Sequence, residues 1–301
     1  MPSHKFTRAA FIALSMGLAA CAGNIERTGI GSYMAASHAI ELKDIESASE
    51  FFNEALKREP DNPVILAEAF EFEVTEGNFP AALRLADRLD SLGAANAPAE
   101  IFLALEAFKK RDWQAARAHL ASVRGLGLDS LIAPLLKGWM LTIEGDLEGA
   151  FKEMDGMSKV AVFNQFRQTH MAFMYDYADE KDKALTAYAG VLQRPNLRSL
   201  QPLVANASLL VRSGEREAAE AMIEGYLKRL PESPVLKDTL QRIKGGRTFP
   251  SIARRPERAL AYSLLNAATQ LARDRVNSPA ILYARLSQFM YFDIEETNLL
   301  L

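Results

Sequence analysis

The stretch Asp44–Pro60, DIESASEFFNEALKREP, returns in altered form 34 residues later as Asn78–Ala94, NFPAALRLADRLDSLGA. Its Ala48 heads a column in which Ala48, Ala82, Ala116, Ala150, Ala184 and Ala218 stand 34 residues apart. A fixed period of this length marks a chain built from stacked copies of one supersecondary unit. Neighbouring columns keep the same register. Asp44, Asn78, Asp112 and Asp146 lie four residues before the first four alanines, where a helix N-cap belongs. Gly77 and Gly145 precede two of them and suit the left-handed end of an earlier helix. Phe52, Ala86, Leu120, Met154, Tyr188 and Met222 follow the alanines by one helical turn. Ala36, Phe70, Ala104, Gly138, Ala172 and Asn206 precede them by twelve residues.

The physical reading of these columns is two helices joined by a short turn. Small residues let the paired helices approach, and the larger residue one turn later fills the gap against the next unit. One pair cannot bury its apolar stripe alone, so the units must stack. The pattern resembles the tetratricopeptide repeat. Ala36, Ala48, Phe52, Ala55 and Pro60 match that motif best, and the likeness runs over about residues 29–232. Phe70 and Asn206 at small positions, and Gly225 at the third alanine column, depart from it. The resemblance implies an all-α, right-handed α-α superhelix of about seven helical hairpins that binds proteins.

The organisation expected is a leader over 1–20, a tether over 21–28, and six repeats plus a helix over 29–243. A basic Gly/Pro loop over 244–256 and a further pair over 257–301 complete it. That last pair carries Ala268 and Ala280 in the two small columns, as a seventh repeat displaced by an insertion. The ending Leu299-Leu300-Leu301 makes a poor polar cap. It reads as the front of a longer array, the alternative being leucines folded back on the last pair.

The leader is decided by charge and length. MPSHKFTR carries Lys5 and Arg8 and no acid, and the apolar run Ala9–Ala20 follows. This is the form of a secretory signal, and too short to span a bilayer, which needs about 20 apolar residues. Leu18-Ala19-Ala20-Cys21 resembles the lipobox of bacterial lipoproteins, which implies cleavage before Cys21 and acylation of its thiol. Ordinary cleavage to a soluble periplasmic protein and a buried structural thiol are the alternatives. Because Ala22 is not aspartate, the resemblance implies the periplasmic face of the outer membrane. Cys21 is the single cysteine, so no intramolecular disulfide is possible.

Composition narrows the function. The formal charge is −3, and near −5 once residues 1–20 are gone, which excludes the basic surface of a nucleic-acid binder. No nucleophile elbow, P-loop or dinucleotide fingerprint is present. His38, His119 and His170 fall in different repeats, each apart from another His or Cys at metal-ligand spacing. An enzyme, a metal and a cofactor are therefore not expected.

Two candidate surfaces remain. Carrying the first-helix positions of the repeat onto this chain gives Ile101, Leu105, Phe108, Ile132, Leu135, Trp139, Phe166, Phe173, Tyr177, Leu203 and Leu210. Exposed, such a strip exceeds what a soluble monomer tolerates. It reads as a groove for an apolar peptide or amphipathic helix; packing within the solenoid, or the last helices folding into the groove, is the competing reading. Tyr33, Ser37, Glu41, Glu71 and Thr75 make the first two repeats more polar. The second surface is the basic run Arg242, Lys244, Arg247, Arg254, Arg255 and Arg258, read either as a phosphate-binding loop or as a connector pairing with nearby carboxylates. The expected function is an envelope-anchored adaptor for a protein or peptide partner. A self-associating module, or the N-terminal part of a longer protein whose activity lies beyond residue 301, are the alternatives.

Overall fold

The computed structural model describes residues 29–123, 129–193, 200–246, 248–249 and 251–292. Among them the fold is all-α, with no strand. Cys21, the leader, Arg247 and the terminal leucines lie outside the described residues. The chain divides into a first unit ending at Ile65 and a second beginning at Leu66.

In the first unit, α1 (Gly29–Glu41) pairs with α2 (Ile45–Arg58). Ala36, Ala39, Ala48, Phe52 and Ala55 form the seam. Asp44 caps α2, accepting from the Ser47 backbone N–H at 3.1 Å, which satisfies one of the free N–H groups of the first turn. α3 (Pro63–Thr75) starts at the end of this unit.

The second unit repeats the device. Its helices are α4 (Phe79–Ser91), α5 (Ala97–Lys110), α6 (Trp113–Ser122), α7 (Asp129–Glu144), α8 (Leu147–Glu153) and α9 (Ala161–Tyr177). They continue as α10 (Lys181–Leu192), α11 (Gln201–Arg212), α12 (Arg216–Leu227), α13 (Pro234–Lys244), α14 (Pro256–Arg273) and α15 (Asn277–Met290). Odd and even helices pair in α5–α6, α7–α8, α9–α10 and α11–α12; α13 packs on α12 and α11, and α14 pairs with α15.

One turn recurs in every hairpin. Lys43, Gly77, Arg111, Gly145, Asp179, Gly214 and Arg275 all have positive φ. In each case the next residue, the cap of the following helix, donates its N–H to the carbonyl five residues back. Asn78 to Glu73 (2.8 Å), Asp146 to Leu141 (2.8 Å) and Val276 to Leu271 (2.9 Å) are examples. This double-bonded helix end satisfies carbonyls that would otherwise be orphaned. Four of the seven turns use a residue with a side chain, at a cost of roughly 1–2 kcal/mol each. For that reason the turn is visible in sequence at its glycines only.

The turns expose one correction. They advance by 34 residues as far as Asp179, then by 35 to Gly214. In the sixth repeat the buried column is therefore Ala219 followed by Ile223, while Ala218 is exposed and Met222 only half-buried. Its first-helix partner is Ala207, fully buried, so Asn206 is not an exception to the small column. Gly225 likewise lies on the surface, and Tyr226 takes the third position.

The segment 245–255 is more than a solvated loop. A turn of 3-10 helix at Ile252–Arg254 packs on α9, α11 and α14. Phe249, Ile252 and Ala253 are buried there, and the Phe249 carbonyl accepts from the Ser208 hydroxyl at 2.9 Å. Gly245, Gly246 and Pro256 end the helices on either side, but the apolar residues between them fill the core.

Candidate functional site

The strip predicted as an open groove is assembled and then covered. Ile101, Leu105 and Phe108 on α5, Ile132, Leu135 and Trp139 on α7, Phe173 on α9, and Leu203 and Leu210 on α11 are all buried. Phe166 and Tyr177 on α9 are half-buried. Over α5, α7 and α9 the cover is the chain's own C-terminal hairpin, since α14 packs on α7 and α9 and α15 packs on α5; Leu203 and Leu210 are buried instead among Ala219, Ile223, Leu236, Ile243 and Phe249. Phe289 stacks on Phe102 with ring centroids 4.4 Å apart. Arg285 donates to the Thr75 carbonyl at 2.8 Å, Lys109 donates to the Phe289 carbonyl at 2.9 Å, and Arg111 pairs with Glu257 at 2.7 Å. The expectation of an accessible groove at these residues is corrected. An apolar strip this wide is stable only when covered, and two amphipathic helices of the same chain lie near enough in space to cover it.

Under the cover runs a polar relay. The Trp139 indole N–H donates to His170 Nδ1 at 2.9 Å, and His170 Nε2 meets the Ser263 hydroxyl. An indole nitrogen only donates, so Nδ1 must accept and the proton sits on Nε2. Ser263 then passes its own hydroxyl hydrogen to the Ala259 carbonyl at 3.3 Å. Every partner is satisfied with a neutral imidazole. Burial holds the His170 pKa down at about 3. The relay ties α7, α9 and α14 together; none of its groups is exposed to act on a substrate.

A second network closes the next layer. Asp176, fully buried at the end of α9, accepts from the Tyr188 hydroxyl at 3.0 Å and pairs with Arg212. Burial raises the Asp176 carboxyl, while Arg212, Tyr188 and Arg254 pull it back down. Burial, and then the neighbouring Asp176, push Tyr188 well above its ordinary value. Arg254 reaches across to the carbonyls of Asp176 (2.8 Å) and Tyr177 (3.1 Å) and to the Asp179 carboxylate (2.6 Å). A cation at a helix C-terminus meets both its free carbonyls and its dipole.

The remaining residues of the basic run are also engaged. Arg242 pairs with Asp238, and Lys244 with Glu220 and Glu224. Arg255 lies 3.4 Å from the Tyr291 hydroxyl, and Arg258 sits over the Tyr291 ring. Arg242, Lys244 and Arg254 thus meet carboxylates, while Arg255 and Arg258 meet Tyr291.

Sequence spacing missed one cluster. Asp90 at the end of α4, Glu100 on α5 and His119 on α6 bring their ligand-capable atoms within 4.8 Å of one another. The signal available was Glu100, a carboxylate on α5 whose neighbours Ala99, Ile101, Phe102 and Leu103 are all buried. A search confined to His and Cys spacing passes over it.

No family model matches the chain, and no curated protein matches it. Solved structures do. A tetratricopeptide repeat protein from Parabacteroides merdae aligns over 90% of this chain and 96% of its own, with TM-score 0.53 and 14% identity. The apo quorum sensor NprR from B. thuringiensis aligns over 87% of this chain and 88% of its own, with TM-score 0.51 and 14% identity. At this identity the likeness establishes the fold, which is of tetratricopeptide type.

Proposed function

We propose that this protein is a non-catalytic interaction scaffold, held at the periplasmic face of a bacterial outer membrane by acyl chains on Cys21. We further propose that it takes its protein partner on the first hairpin rather than on the covered strip. The observation that carries this reading is where apolar surface remains. Of the twelve large apolar side chains exposed among the described residues, six fall between Ile30 and Val64. Met34 is 66% exposed and Leu42 67%, with Ile30, Ile40 and Ile45 beside them in sequence. Ile30 and Met34 stand one turn apart and so share a face of α1.

Burying Ile30, Met34, Leu42 and Ile45 against a partner contributes about 1.5–3 kcal/mol each. Association itself costs roughly 4–15 kcal/mol. The balance favours modest intrinsic affinity, which tethering at a membrane raises through effective concentration. Residues 21–28 reach at most about 28 Å when extended, at roughly 3.3–3.6 Å per residue, so the hairpin stays close to its anchor.

The test has two arms. Metabolic labelling with palmitate should mark the wild type and not Cys21→Ser, and the variant should leave the membrane fraction. A photo-crosslinking amino acid at Met34 should trap one protein in intact envelopes, while the same group at Gln114, exposed on α6, should not. Equal trapping at both positions, or adducts to this chain alone, would overturn the partner assignment and leave the anchor untouched.

A further inference from the structure

We propose that Asp90, Glu100 and His119 form a binding site for one divalent transition-metal cation of the zinc class. Glu100 is only 7% exposed, and an ionised carboxylate in that setting requires a strong partner. Its partner is His119, whose Nδ1 lies 2.9 Å from Glu100 Oε2 and 3.9 Å from Asp90 Oδ1. One ring nitrogen therefore faces two carboxylates. A single N–H serves the nearer one, and 3.9 Å is too long for the second to count as a hydrogen bond. A cation serves all three.

The dimensions agree with that role. A point equidistant from three atoms so spaced lies about 2.4 Å or less from each, within a few tenths of the 2.0–2.2 Å of zinc–nitrogen and zinc–oxygen bonds. Charge agrees too, since two carboxylates and a neutral imidazole balance a divalent ion. The imidazole selects the metal: nitrogen donors suit Zn²⁺, Co²⁺, Ni²⁺ and Cu²⁺, whereas Mg²⁺ and Ca²⁺ prefer oxygen alone. Three protein ligands leave a fourth position open. The ligands come from three successive helices, so a bound ion links α4, α5 and α6 into one rigid element.

The experiment is calorimetric titration of the chelator-stripped full chain with ZnCl2, followed by CoCl2 as a spectroscopic probe. The expected result is one equivalent bound at micromolar concentration, a rise in Tm that saturates at that equivalent, and visible cobalt bands of an N/O site. His119→Ala and Asp90→Asn should each weaken binding at least tenfold. Asp90 is exposed, so that variant keeps the fold. His38→Ala, in the first hairpin, should change nothing, and millimolar Mg²⁺ or Ca²⁺ should not compete. Absence of saturable binding below about 100 μM, binding unaltered by both Asp90→Asn and His119→Ala, or displacement by Ca²⁺ would each overturn the assignment.

Discussion

At the residue scale the molecule depends on two buried polar networks whose protonation is fixed by their partners. His170 is neutral because Trp139 occupies one nitrogen as a donor and Ser263 receives from the other. Its native pKa of about 3 lies below the unfolded value near 6.5. The unfolded chain therefore binds a proton that the native state refuses, so this contribution is complete above pH 6.5 and is lost as pH falls towards 3. Each unit of that fall costs up to about 1.4 kcal/mol. Urea unfolding at pH 7.5 and 5.0 should show about 2 kcal/mol more loss in the wild type than in His170→Phe; equal losses would mean the imidazole is solvated. Asp176 makes the complementary case. Arg212→Met leaves a buried carboxylate uncompensated, which costs about 3–5 kcal/mol at neutral pH. The cost should shrink in acid as the carboxyl protonates, measurable in the same denaturation series.

At the element scale the repeat was legible where chemistry and geometry coincide. Ala48, Ala82, Ala116, Ala150 and Ala184 are all buried at the hairpin seams because only a small side chain fits there. Asp44, Asp112 and Asp146 cap their helices by accepting from the backbone N–H three residues on, those of Ser47, Ala115 and Gly149. The left-handed turn was legible at Gly77 and Gly145 and hidden at Lys43, Arg111, Asp179 and Arg275, where tertiary packing overrides a local preference. The slip to Ala219 was hidden for a different reason. Ala218 and Ala219 are adjacent alanines, so composition cannot tell which one faces the seam. Substitution can. Ala219→Leu should cost about 1–3 kcal/mol by overpacking, while Ala218→Leu should fall within about 0.5 kcal/mol of wild type. The reverse order would restore the unbroken 34-residue register.

At the scale of the whole molecule, the apolar character of the strip from Ile101 to Leu210 was legible in its residues, while whether solvent or the last helices lie over it was not. Helical spacing reports that Trp139, Phe173 and Leu105 share the first-helix side; it carries no information about a hairpin 90 residues further on. The covering residues, Ser263 and Phe289 among them, look like ordinary amphipathic helix in isolation. The Asp90–Glu100–His119 cluster showed in sequence only as one carboxylate among apolar neighbours, because it is assembled from three helices whose spacing follows no ligand motif. Closure of the α5, α7 and α9 part of the strip by α14 and α15 takes these side chains out of solvent. The chain holds two tryptophans, Trp113 and Trp139, the first half-buried and the second fully buried beneath α14. In Trp113→Phe, which leaves Trp139 as the sole indole, acrylamide quenching tests the cover directly. With the hairpin in place, emission is blue-shifted and quenching several-fold weaker than that of Trp113 in the converse Trp139→Phe variant. Red-shifted emission quenched as readily as free indole would contradict it and return the strip to the solvent as an open groove.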